Sequence, residues 1–234
     1  MSKVIGATVG TTYDKSKIGG SGLTAEQQAL LERIAQEYAD REYTYMTATI
    51  TPTGATYEMG SSQEIKFSWE FSHDVSSVTL NGEPQAATKK GSTTVKNITK
   101  SSTYEVIGTR ADGKHETAKA KSSITFSNRF YRGYAAAPKE VNSAFITGLT
   151  KGFASGKGMT FTANCPNGQH IWYAYPKRFG IANPDMAPSG STAYFSGGFE
   201  EPLEIDVTNA SGYTEKYYVY KSINTGLHQE IKFT

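Results

Sequence analysis

The residue types that could do chemistry are present in this chain, but not at the spacings that chemistry needs. The stretch GLTKGFASGKGMT, residues 148–160, invites comparison with a phosphate-binding loop. Such a loop requires two glycines five positions apart and a Ser or Thr directly after the lysine, to ligate magnesium. Here Gly152 and Gly156 are four apart, and Gly158 follows Lys157. No hydrophobic strand leads in and no helical pattern leads out, so the segment is expected to be a loop. The four histidines, His73, His115, His170 and His228, are scattered, and a structural zinc site would need cysteines that are absent. Cys165 is the only cysteine and sits in the turn-like NCPNG. No G-x-S-x-G elbow is present. Glu200, Glu201, Glu204 and Asp206 gather around Pro202. They read as a solvated strand edge, with paired acids or calcium ligands as the alternatives. The expectation is a protein that is not an enzyme, with no catalytic residue, no metal and no cofactor.

The aromatic residues carry more information. Trp172, Tyr173, Tyr175, Phe179, Tyr194, Phe195, Phe199, Tyr217, Tyr218 and Tyr220 concentrate in the C-terminal half. Tyrosine and tryptophan combine rigid apolar area with a polar handle, so such a set can be core, a protein interface or a sugar-stacking platform. Trp172, Tyr175 and Phe179 are the candidate ligand or interface residues.

The elements that must position these residues follow from periodicity. The chain has 234 residues, enough for two ordinary domains with a core each. Its net charge is +2 and its lysines are spread out, which argues against a nucleic-acid footprint. No apolar run reaches the roughly 18 residues of a membrane span. Residues 1–10 lack the apolar core of a secretory signal. A single cysteine excludes an intrachain disulfide and suits folding in a reducing cytosol.

Residues 1–22 are too short to form a core and run into a Gly/Ser cluster. They are either a flexible tail or a peptide ordered by docking on something else. One helix is predicted over residues 23–43. Thr24 is its N-cap and Gln27 completes a capping box. Leu31, Ile34 and Tyr38 fit an a-d-a spacing, and the helix alone is marginal in water, so its stripe needs a partner. That partner is either the first β domain of the same chain or symmetry mates of an oligomer.

From Tyr45 the period becomes two. Met46, Ala48 and Ile50 alternate with threonines, and EIKFSWEF places Ile65, Phe67, Trp69 and Phe71 on one face. Asn81-Gly82 and Asp112-Gly113 mark hairpin turns. Short strands at this spacing predict a β-sandwich over residues 44–126 with Trp69 inside it. A second, less regular antiparallel β domain is predicted over 127–234, with long loops around Lys177–Gly190. In it HIWYAYP, apolar on both faces, reads as a central strand covered on each side. The fold class is therefore all-β, after an N-terminal extended peptide and a helix.

These residues carry a resemblance. TATITPTGATYEMGSSQEIKFSWEF, VTLNG and STYEVIGTRADG are similar to the immunoglobulin-like modules of tail, neck, baseplate and fibre proteins of tailed bacteriophages. Tyr104 resembles the tyrosine that ties a corner in such sandwiches, without the usual disulfide. ITFSNRFYRGYAA, NGQHIWYAYPKRFG and VTNASGYTEKYYVYKS resemble a C-terminal domain that follows such modules. The opening KVIGATVGTTYDKSKI resembles N-terminal peptides that attach appendages to the particle, with Val4, Ile5, Val9, Tyr13 and Ile18 as the docking residues. The resemblance implies a structural protein of the virion, such as a fibre, spike or adaptor, assembled in the bacterial cytoplasm. Its implied partners are other virion proteins and copies of itself, a trimer by preference, and a host-surface glycan under the alternative of a receptor-binding module.

Overall fold

In the computed structural model, residues 24–41, 44–112, 116–188, 190–191 and 193–234 are described. The helix α1 spans Ala25–Arg41 and opens with the expected capping box. The Thr24 N–H donates to Gln27 Oε1 at 3.0 Å and the Gln27 N–H donates to Thr24 Oγ1 at 3.3 Å. Arg33 and Glu37, one turn apart, form an ion pair at 3.6 Å.

Eight strands follow: β1 (Ala48–Thr51), β2 (Gly54–Glu58), β3 (Gln63–Phe71), β4 (Val75–Leu80), β5 (Glu83–Gln85), β6 (Lys90–Ile98), β7 (Ser102–Arg110) and β8 (Thr117–Ser127). They form two sheets, ordered β1-β3-β6 and β2-β8-β7-β4-β5. The connections β1–β2, β2–β3, β3–β4, β5–β6 and β6–β7 cross from one sheet to the other, while β4–β5 and β7–β8 stay within one, as in an immunoglobulin-like β-sandwich. Alternation decides which side chains go inside: Ile65, Phe67, Trp69 and Phe71 are buried while Glu64, Lys66 and Glu70 are exposed. The segment Pro52–Gly60, rich in turn residues, contains β2, which pairs parallel with β8. Its apolar alternation is limited to Ala55 and Tyr57, which are only partly inside, as is Glu58 beside them.

Nine further strands complete the chain: β9 (Arg129–Ala135), β10 (Thr150–Phe153), β11 (Met159–Asn164), β12 (His170–Pro176), β13 (Pro184–Pro188), β14 (Phe195–Ser196), β15 (Leu203–Thr208), β16 (Thr214–Lys221) and β17 (His228–Phe233). A short helix α2 (Ser143–Thr147) lies between β9 and β10. The sheets are β10-β9-β12-β16-β15 and β11-β17-β13-β14. Two expected loops are therefore partly strand. The first four residues of the phosphate-loop lookalike from Thr150 form β10, paired with β9. The Lys177–Gly190 loop holds a 3-10 turn and β13, whose two prolines stand at its ends. The short partner β14 pairs only with Asp185 and Met186, so neither proline is asked to donate on that side, and the Pro184 carbonyl accepts the Gly197 N–H at 3.0 Å.

The chain divides into two compact units, Met1–Thr51 with Phe67–Thr93 and Tyr104–Lys121, and Pro52–Lys66 with Thr94–Thr103 and Ser122–Thr234. In the first, Phe67 stacks on Tyr104 at 4.5 Å between centroids. The Trp69 indole lies across Gly91, where a Cβ would come within 2.6 Å of its ring. In the second unit, Arg129 lies 3.7 Å over the Phe153 ring and pairs with Glu58 at 3.6 Å. The Asn209 amide donates to the Met59 carbonyl at 2.7 Å, tying the β2–β3 turn to the β15–β16 turn.

Replacing Gly91 by Val forces branched carbon into the indole of Trp69. The expected loss is about 1–3 kcal/mol of stability in chemical denaturation. An unchanged midpoint would show that the indole is free to move aside.

Candidate functional site

Trp172 and Tyr175 are placed by β12, the strand between β9 and β16. Its odd residues Ile171, Tyr173 and Tyr175 enter one core with Phe161, Tyr220, Ile231 and Phe233. Its even residues Trp172 and Ala174 enter another with Ile146, Tyr131, Val207, Tyr217 and Val219. Trp172 is 1 % exposed and Tyr175 0 %. The indole N–H of Trp172 donates to the Ala135 carbonyl at 3.1 Å, and Phe145 of α2 meets its ring edge-on at 4.8 Å. Phe179, in the 3-10 turn, packs partly buried against the first of these cores. Neither Trp172 nor Tyr175 offers a free ring face to a sugar.

The tyrosine hydroxyls serve the loops. Tyr173 donates to the Lys157 carbonyl at 3.1 Å, Tyr175 to Gly180 at 2.9 Å, Tyr220 to Ala182 at 3.0 Å and Tyr217 to Arg129 at 2.8 Å. Burial disfavours the charged phenolate, so the pKa of Tyr131 is raised and those of Tyr173, Tyr175 and Tyr217 are pushed well above the ordinary tyrosine value.

The remaining candidates disperse. Cys165 is fully buried and its thiol donates to the Gln169 carbonyl at 3.0 Å. Glu200, Glu204 and Asp206 pair with three different lysines, Lys221, Lys177 and Lys216. That makes them a charged strand edge rather than a paired-acid site. His170 meets the Ser222 carbonyl at 2.7 Å and His73 the Ser72 hydroxyl at 2.8 Å. His115 lies outside the described residues. Among the described residues no group of His, Cys, Asp and Glu is placed to hold a metal, and no helix is long and apolar enough to cross a membrane.

What the described surface does show is an apolar stripe on α1. Leu30, Ile34 and Tyr38 are 48 %, 50 % and 56 % exposed. Leu31 and Ala35 beside them are half-buried. The docking residues Val4, Ile5, Val9, Tyr13 and Ile18 lie outside the described residues.

The exit from this helix is held by a group that sequence reasoning missed. The Arg110 side chain is 11 % exposed and pairs with Asp112 at 2.5 Å and Glu116 at 3.1 Å. It also donates to the Thr44 carbonyl at 2.7 Å, while the other Glu116 oxygen accepts the Met46 N–H at 2.9 Å. Ser72 Oγ accepts the Thr47 N–H at 2.9 Å. An arginine followed by two acids around a hairpin turn is visible in the sequence. Its reach to Thr44, 66 residues away, is not.

No family model matches this chain, and no curated protein matches it. Among solved structures it is similar to the N-terminal eight immunoglobulin domains of Down Syndrome Cell Adhesion Molecule. The identity is 12 % and the TM-score 0.28, over 78 % of this chain and 23 % of that one. It is also similar to the secreted serine protease VesC from Vibrio cholerae, at 13 % identity and a TM-score of 0.26, over 86 % of this chain and 48 % of that one. The chain thus spans less than half the length of either. At these TM-scores neither likeness bears on function.

Two outcomes follow from this geometry. Arg110→Met removes the clasp and leaves two carboxylates without their guanidinium. It is expected to cost about 1–3 kcal/mol and to speed proteolysis around residues 41–47, read by limited digestion. Cleavage as slow as in the parent would reject the clasp.

The second outcome concerns alkaline pH. The buried tyrosines keep their protons when folded, whereas an unfolded tyrosine loses its proton near pH 10. Above about pH 10 these tyrosines hold more protons in the folded state than in the unfolded, so their contribution to stability is full below that point and is lost as pH rises. Tyrosinate absorbance should therefore appear in two stages, with the second coincident with loss of the fold. A single smooth titration of every tyrosine in a folded protein would contradict the closed cores.

Proposed function

We propose that the chain is a non-enzymatic structural component of a tailed-phage virion. It acts as a fibre, spike or adaptor that docks through its N-terminal segment and projects its β domains. One observation carries the reading. Four of the nine large apolar side chains left exposed among the described residues, Leu30, Ile34, Tyr38 and Tyr45, lie in α1 and the linker that follows it. The aromatic wealth of the C-terminal half is meanwhile spent on closed cores. Sticky surface thus gathers at the N-terminal end of the chain, where assembly through other virion proteins requires it, and exposed patches of this kind mark interaction sites. The sequence resemblance to immunoglobulin-like modules of phage particles supports the virion setting, with assembly in the host cytoplasm.

Deleting residues 1–22 while retaining the helix is expected to abolish incorporation into particles and leave the β domains folded. Purified particles that carry the truncated protein at the parental level would sink the docking role.

A further inference from the structure

We infer that Asn167 is a site of spontaneous covalent modification: the backbone nitrogen of Gly168 converts its side-chain amide to isoaspartate, within the turn that covers Cys165. The chemistry is intramolecular and stands independently of the virion reading.

The chain contains two Asn-Gly dipeptides, Asn81-Gly82 and Asn167-Gly168, and all four residues are exposed. In such a pair the glycine nitrogen can reach the asparagine Cγ, because no Cβ on the glycine obstructs the approach. A C–N bond forms, ammonia leaves, and a five-membered succinimide results. Water then opens the ring at either carbonyl, giving aspartate or isoaspartate. The sum is amide plus water to acid plus ammonia, with no change of oxidation state. Proximity sets the rate, so the side chain has to be free to swing towards its own C-terminal neighbour.

The fold treats the two sites differently. Asn81 and Gly82 have φ values of 51° and 83°, the pattern of a type I′ turn, and Leu80 pairs with Glu83 across it. Asn81 is also latched to β7. Its Oδ1 accepts the Glu105 N–H at 2.7 Å, and its own N–H donates to the Glu105 carbonyl at 2.9 Å. Ring closure there has to break the latch and twist a hairpin turn held at both ends.

Asn167 is under no such hold. It lies between β11 and β12, strands of different sheets, where the Gln169 N–H closes a turn on the Pro166 carbonyl at 3.1 Å. Neither the Asn167 side-chain amide nor the Gly168 N–H has a hydrogen-bond partner among the described residues. The Asn167 Oδ1 lies over Gly226, a position without a side chain to bond it.

What the modification changes is the cover of Cys165. The Gln169 carbonyl accepts the Cys165 thiol at 3.0 Å and the Gly226 N–H at 3.2 Å, so the far end of the same turn closes over a fully buried sulfur. Isoaspartate carries the main chain through the side-chain carbon, which adds a methylene between Cys165 and Gln169. A tight turn pinned at both ends has no slack for it. The Gln169 carbonyl is displaced and the thiol becomes accessible.

The test is incubation of the full chain at mildly alkaline pH, followed by peptide mass spectrometry and enzymatic methylation of isoaspartate. Conversion at Asn167 should run at least about fivefold ahead of Asn81, the factor that one latching hydrogen bond supplies. In denaturant the two sites should convert at comparable rates. Equal rates in the folded chain overturn the proposal. A ratio that persists in denaturant assigns the difference to neighbouring residues and overturns it too. Cys165 supplies a second readout, because its reaction with a thiol reagent should rise in step with isoaspartate. Asn167→Gln cannot close a five-membered ring, and its thiol should stay closed over the same period. A thiol equally reactive in Asn167→Gln, or closed in fully converted protein, overturns the uncovering of Cys165.

Discussion

Neither face of Ile171–Tyr175 reaches water, and the second compact unit is arranged around that constraint. A strand polar on one side needs only one cover. This one is buried at every position from Ile171 to Pro176, so it needs two. On one side the cover is the sheet containing β11 and β17, which sends in Phe161, Ile231 and Phe233. On the other it is α2, five residues long, which is nevertheless enough because Ile146 is fully buried and Phe145 caps the Trp172 ring. Asn142 makes so short a helix possible by accepting the Phe145 N–H at 3.0 Å and satisfying one of its free donors. The sheet order β9-β12-β16 then follows, since a strand covered on both faces must also have both of its edges paired.

This double burial explains why the aromatic residues of the core are mostly tyrosine and not phenylalanine. A buried hydroxyl without an acceptor is costly, so each must find one. In this unit the acceptors are backbone carbonyls of connecting segments, Lys157, Gly180 and Ala182, and of the first residue of β9, Arg129. Each bond contributes about 1 kcal/mol net. Their larger effect is positional, because segments such as 177–183 have little regular structure to hold them. The rings fill the core while the hydroxyls fasten the chain that wraps it. A residue serving both ends in this way has no surface left for a ligand.

How much of this was legible depends on whether an element announces itself through side chains or through backbone pairing. The strand β3 was readable because Ile65, Phe67, Trp69 and Phe71 alternate with polar residues. So was β12, because an uninterrupted apolar run bounded by turn residues has few alternatives to a covered strand. The helix was readable from Thr24, Gln27 and the spacing of Leu31, Ile34 and Tyr38. By contrast β2, β10 and β13 exist because neighbours supply hydrogen bonds, and GATYE, TKGF and PDMAP contain no pattern that says so. Of the candidate site, the apolar helix stripe was visible, and the fate of the aromatics was a choice between core and surface. Composition alone could not make that choice, since Tyr and Trp suit both.

The clasp at Arg110 shows why an exposed helix stripe can matter to the rest of the chain. Thr44–Thr47 precedes β1 and has one inward anchor of its own, Met46, which is 6 % exposed. Its backbone groups would otherwise turn to water. Arg110 takes the Thr44 carbonyl, Glu116 the Met46 N–H and Ser72 the Thr47 N–H, so three successive peptide units are held by side chains distant in sequence. The Thr47 carbonyl accepts the Ser72 N–H at 3.0 Å and continues the register that β1 then takes up with β3. Both carboxylates on Arg110 are themselves only 26 % and 17 % exposed, so the pairs are less screened than the surface Lys216–Asp206 pair between β15 and β16. Fixing the segment that leaves the helix costs conformational entropy that β1 alone, four residues long, is poorly placed to offset. The arginine-centred network offsets that cost at the point where the chain enters β1.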